Sequence, residues 1–179
     1  MHLRIPVSLW VSASCACSPS TGKVNAAPDW RQVPVALELR LAEGAPTPDL
    51  VPAALYGQAD TVYLHPEAQL SNSHIARVEA VKTRLGQGLV LEVWFTRAGA
   101  KRLAEVTGTH IGDSLAVLIN SVVVSVPVIQ DTLGRDPRLP NEIGVPLGAE
   151  EAQQLAAAVS KTWPPASAPS RTKVGKDGM

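Results

Sequence analysis

The chain has 179 residues, of which 45% are hydrophobic and 18% charged, and its 16 Lys plus Arg balance 16 Asp plus Glu. That length accommodates one domain with a real core and flanking tails. A formal charge of +0 at pH 7 excludes the electrostatic footprint of a nucleic-acid binder, and no interleaving of aromatic and basic residues replaces it.

His2 and Arg4 precede a modest apolar stretch, residues 5–11, and then a run of small residues. Basic, then apolar, then small is the order of an export signal; this one is too short and too rich in serine to span a bilayer. Cys15 and Cys17 follow, each preceded by small residues as at the lipid-modified cysteine of bacterial lipoproteins, although Ser12 and Ser14 stand where Leu or Val is usual. Both thiols are candidates for lipidation, or for loss with a discarded leader. The expected division is a signal-like segment and linker over 1–30, a folded domain over 31–163, and a disordered low-complexity tail over 164–179.

Val35, Leu37, Leu39 and Leu41 alternate with Glu38 and Arg40, which predicts a half-buried strand. Residues 44–60 carry Pro46, Pro48, Pro52 and Gly57 and read as a loop; 61–64 reads as a short strand. A turn at 71–75 leads to a strand over 77–84, with Val78 and Ala80 facing one way, and Gly86 and Gly88 supply a hairpin. The return strand, 89–95, sets Leu89, Leu91, Val93 and Phe95 on one face and Val90, Glu92 and Trp94 on the other. Trp94, on the more polar face, is the candidate protein-binding residue; cover by a loop or helix is the competing expectation.

Thr96 caps a helix with Ala100, Leu103, Ala104 and Thr107 on its apolar stripe, ended by Gly108, while Arg97, Lys101, Arg102 and Glu105 form a solvated face. Residues 115–119 and 122–126 read as a hairpin turning at Asn120 and Ser121, apolar on both faces and therefore central and covered on one side by helices. A polar loop precedes a last strand at 142–145. Gly148 then opens a helix with Glu150 and Glu151 in its first turn and Ala152, Leu155, Ala156 and Val159 on its stripe. The sum is an α+β two-layer sandwich, a mixed or mainly antiparallel sheet of five to seven strands with two main helices packed on one face.

His65, His74 and His110 have no metal-ligand spacing, and the chain shows no nucleophile elbow, dinucleotide fingerprint or phosphate loop. Asp113 stands at a loop-to-strand junction with no identifiable acid or base partner. No catalytic, metal-binding or cofactor-binding residue is assigned, and no cofactor is expected.

Residues 95–134 closely resemble the head subdomain of the periplasmic P1 region of the protein-export subunit SecD, or the fused SecDF. Thr96, Gly99 and Ala100 match the family's helix start, with Arg97 and Ala98 in place of Pro-Glu, and Ile111 and Gly112 its Ile-Gly step. Asn120 occupies the hairpin turn; Ser125, Pro127, Val128 and Ile129 keep the Ser-x-Pro-Val-Ile element; and Glu150, Glu151 and Ala152 resemble a later helix start. The resemblance implies the head fold and a capacity to contact unfolded polypeptide, without the family's proton-carrying membrane helices. The expected function is an exported non-enzymatic domain binding protein or peptide at the outer side of the cytoplasmic membrane. Its partners would be protein or unfolded polypeptide, and a membrane-embedded export complex, not nucleic acid, with membrane contact only through an N-terminal anchor. The rival readings are an accessory envelope module docked on one specific partner, and a small hydrolase or transferase using Asp113 or His110.

Overall fold

The computed structural model describes residues 28–82, 89–136 and 138–164. Its elements are β1 (Leu37–Glu43), β2 (Val51–Ala54), β3 (Thr61–Leu64), a 3-10 turn (Asn72–His74), β4 (Ile75–Lys82), β5 (Leu89–Phe95), α1 (Arg97–Thr109), β6 (Ser114–Ile119), β7 (Val122–Ser125), β8 (Asn141–Val145) and α2 (Ala149–Thr162). The signal-like segment, Cys15 and Cys17, the Gly86–Gly88 hairpin and the tail from 165 onward lie outside the described residues.

The α+β sandwich expected from the sequence is the architecture observed, with antiparallel pairing throughout the named strands and two packed helices. Its strands divide into two sheets instead of one. A five-stranded sheet has the order β2-β3-β1-β6-β7, and a three-stranded sheet the order β4-β5-β8. One core joins them: Leu37, Leu39 and Leu41 of β1, Leu115, Val117 and Ile119 of β6, and the inner row of β5 meet Leu103 of α1 and Leu155 of α2. The period of two in β5 explains its part. Leu89, Leu91, Val93 and Phe95 are all buried, each worth about 1.5–3 kcal/mol in burial, while Val90, Glu92 and Trp94 between them are half-buried.

Three elements differ from expectation. The proline-rich stretch read as a loop contains β2, which tolerates Pro52 because it lies at the edge of its sheet and pairs only with β3 along its length. The second strand of the apolar hairpin, β7, is also an edge strand and not central. Its two apolar faces arise from curling. Leu55, just past β2, bridges Val123, and the Tyr56 N–H donates to the Val123 carbonyl at 2.8 Å, so the far edges of the sheet meet. A second apolar cluster of Ala42, Leu64, Ala116, Leu118 and Val123 thereby fills the side facing away from the helices. Finally, α1 passes through Gly108 to Thr109. The Thr109 hydroxyl donates to the Glu105 carbonyl at 2.9 Å and His110 Nδ1 lies 2.8 Å from the Val106 carbonyl, so side chains satisfy the last turn without a glycine stop.

The stretch before β1 is also more engaged than its linker-like composition predicts. Trp30 is buried, its ring edge-on to Tyr56 with centroids 5.2 Å apart. Nearby, Val35 N–H donates to Thr162 Oγ1 at 2.9 Å, tying the segment to the end of α2.

Candidate functional site

The inner face of the three-stranded sheet belongs to the core it shares with Leu103 of α1 and Leu155 of α2, and the side chains of the other face are half-buried or exposed. Strand alternation and register set that outer face: Arg77, Glu79 and Val81 from β4, Val90, Glu92 and Trp94 from β5, Glu142 and Gly144 from β8. Trp94 is half-buried, and the guanidinium of Arg77 lies over its ring, 3.9 Å from the ring centroid. Arg77 is the cross-strand partner of Trp94, and such stacking contributes about 0.5–1 kcal/mol at exposed sites. The same guanidinium pairs with Glu79 at 2.8 Å, while its Nε is buried with no hydrogen-bond partner among the described residues.

Next to this stack runs a row of carboxylates. Glu79 stands opposite Glu92, and Glu92 opposite Glu142, so three strands contribute one acid each at the same level. Like charges directly opposite one another destabilise a sheet. Among the described residues the ion pair made by this row is Arg77–Glu79. On the row's far side, Val81, 41% exposed, stands opposite Val90. The face therefore carries an aromatic-cation stack, an acidic row and an apolar pair side by side.

The other residues singled out in the sequence lie elsewhere and build the scaffold. Thr96 Oγ1 accepts from the Gly99 N–H at 3.0 Å and caps α1. Gly99 presses on the His74 carbonyl, where any β-carbon would collide, and Ala100 is in the core. Gly112 has φ +96, and its N–H donates to the Ile129 carbonyl at 2.8 Å. Ile111 is 58% exposed and Val128, on the adjoining segment, 54%. Asn120 and Ser121 turn at φ 50 and 66, the left-handed pair that a tight hairpin requires. Ser125 closes β7 opposite Val117, and the Pro127 carbonyl accepts from the Leu115 N–H at 2.9 Å. His110 and Asp113 border a cleft of about 530 Å³ with His65, whose Nε2 lies 3.2 Å from Glu43 Oε1. There His110 serves as the end cap of α1, and Asp113 is exposed.

Among the described residues, no group of three or more His, Cys, Asp or Glu is placed to hold a metal ion, and no helix is long and apolar enough to cross a membrane. The Arg77 stack and the carboxylate row escaped the sequence reading because both depend on cross-strand register. The local alternation of 89–95 located Trp94 and Glu92, but nothing local aligns them with Arg77, Glu79 or Glu142.

Residues 49–162 match the family described as SecDF, P1 head subdomain. The chain belongs to that family. The P1 head is a non-catalytic accessory subdomain, and membership links this chain to SecDF. The matched segment begins after Trp30 and β1, so the strand that pairs with both β3 and β6 precedes it. Two solved structures share the fold. A crystal structure of SecDF in a super-membrane-facing form is 23% identical with a TM-score of 0.55, over 72% of this chain and 19% of that chain. A structure of SecDF, described as a membrane component that enhances protein export, is 22% identical with a TM-score of 0.51, over 72% of this chain and 63% of that chain. This P1 head thus spans a minor part of the first and under two thirds of the second. A comparison with curated proteins found no match.

Proposed function

We propose that this P1 head is an exported, non-enzymatic domain that binds unfolded polypeptide at the outer side of the cytoplasmic membrane, in the service of protein export. The observation that carries the reading is the family match over residues 49–162. The relative described as enhancing protein export supplies the process, and the outer sheet face that carries Trp94 and Arg77 is the surface proposed to receive the chain. In this reading Trp94 contacts the bound chain, and a lipid on Cys15 or Cys17 holds the domain at the membrane, beside a membrane-embedded export complex.

Two measurements test it. Mass spectrometry of the protein from its native cell is expected to show loss of the residues before the cysteines, with or without a lipid on the new N-terminus; an intact chain in the cytoplasm overturns the localisation. Pull-down from a membrane fraction is expected to recover several secretory precursors. Recovery of one folded, stoichiometric partner and no precursor would replace this function with that of an accessory envelope module.

A further inference from the structure

From the outer face of the three-stranded sheet we infer a preference for basic, amphipathic polypeptide segments: cationic side chains set on the Glu79–Glu92–Glu142 row and apolar ones on Val81, Val90 and Trp94. The inference deepens the polypeptide-binding reading and rests on it. Among the described residues, three carboxylates on the face stand against the guanidinium of Arg77. That guanidinium is already engaged, stacked on Trp94 and paired with Glu79. Glu92 and Glu142 make no ion pair with any described residue. Setting three acids in cross-strand register disfavours the free sheet, and an incoming cation converts that repulsion into attraction.

The pattern also selects the shape of the partner. Rows on one face of a strand repeat every ~6.8 Å, so the acidic row is flanked at that distance by Val81–Val90 on one side and Arg77–Trp94 on the other. A segment with alternating or helically spaced Lys/Arg and apolar residues presents the same stripes. Three strands about 4.8 Å apart, in register over five pairs, give a plan of roughly 240 Å². That holds a peptide segment and falls well short of the ~800 Å² per partner of a standard folded interface. A second copy of the chain would set carboxylates against carboxylates across a two-fold axis, so the charge pattern disfavours it.

The experiment measures binding of three labelled peptides of one apolar pattern, with lysine, serine or glutamate at the variable positions, by fluorescence anisotropy. It uses the full chain and its Glu92→Gln/Glu142→Gln and Glu150→Gln variants, the last placing a charge change on α2. The lysine peptide is expected to bind at least about tenfold more tightly than the glutamate peptide, with the difference collapsing at about 0.5 M salt. The double variant should lose that discrimination while keeping its unfolding transition, and Glu150→Gln should keep both. Equal binding of all three peptides overturns the cation preference and leaves polypeptide binding intact. Failure of the serine peptide and of a reduced, unfolded protein to bind, with the lysine peptide still bound through Glu92 and Glu142, overturns the general polypeptide reading and keeps the acidic dock. No binding of the lysine peptide, or a dimer that the double variant strengthens, overturns the inference.

Discussion

The Tyr56 hydroxyl donates a hydrogen bond to Glu151 Oε1, locking the turn after β2 onto the first turn of α2 across 95 residues of chain. The other carboxylate oxygen of Glu151 accepts the Gly148 N–H at 3.0 Å, and the edge-on Trp30 ring packs against Tyr56. One carboxylate therefore caps a helix and fastens the rim of the curled sheet to it.

That contact predicts a pH dependence. The Tyr56 hydroxyl, and after it the Gly148 N–H, hold the Glu151 carboxyl below its ordinary value. A carboxyl lowered in the folded state stabilises fully above its unfolded value, about 4.3, and the contribution is lost as pH falls through the folded one. Tyr56 is raised, chiefly by the bond to Glu151, so its contribution is complete below about 10 and is lost as pH rises through the folded value. Tyr56→Phe is expected to cost about 1 kcal/mol at neutral pH, the lower end for a bond to a charged group because both side chains are partly exposed. Urea unfolding should show the two proteins converging as pH falls below the ordinary carboxylate range and through the lowered value of Glu151; a constant gap would assign the loss to packing.

Two glycines of α1 should respond in opposite senses to alanine. A β-carbon on Gly99 collides with the His74 backbone, so Gly99→Ala is expected to destabilise by about 1–3 kcal/mol. On Gly108 the nearest atom, Thr132 Oγ1, lies at 3.4 Å, and Gly108→Ala should gain about 0.5 kcal/mol from helix propensity. Chemical denaturation of both variants checks the sign.

The β6–β7 turn gives a second opposed pair. Asn120 Oδ1 accepts the Ala36 N–H at 2.9 Å and its Nδ2 donates to the Asp29 carbonyl at 3.3 Å, so the turn also holds the segment before β1. Asn120→Ala loses both bonds and strains a left-handed position, at an expected cost of about 1–3 kcal/mol. Ser121→Gly, exposed and at φ 66, should be neutral or stabilise by up to about 1 kcal/mol. Limited proteolysis near residue 30 would report release of the segment in the first variant and not in the second.

Core and surface differ as their burial requires. Val117, 3% exposed, lies in the common core, and Val117→Ala is expected to cost about 1–3 kcal/mol. Arg102 is exposed and donates to Gln69 Oε1 at 2.7 Å, so Arg102→Ala should stay within about 0.5 kcal/mol. Equal losses in urea unfolding would contradict the placement of β6.

Glu92→Gln removes the middle charge of the carboxylate row. Cross-strand repulsion between like charges amounts to about 0.2–1 kcal/mol, so the variant should be as stable as the parent or more so. A gain that vanishes at high salt identifies repulsion as the cause.

Local sequence determined what neighbours in the chain decide. The alternation of β5 separates Leu91 from Trp94, the helical spacing of Leu103 and Leu155 sets the inward stripes, and Asn120 beside Ser121 marks the turn, because each depends on backbone geometry within a few residues. Even the face carrying Trp94 was legible, though not the Arg77 that stacks on it. Only the tertiary structure decided that the strands form two sheets, that Leu55 reaches Val123 to curl the larger one, and that Glu79, Glu92 and Glu142 stand in one row. Those relations follow from cross-strand register, which is set by how all the buried faces pack at once. Tyr56 and Glu151 likewise meet only because the curled sheet and α2 share one core.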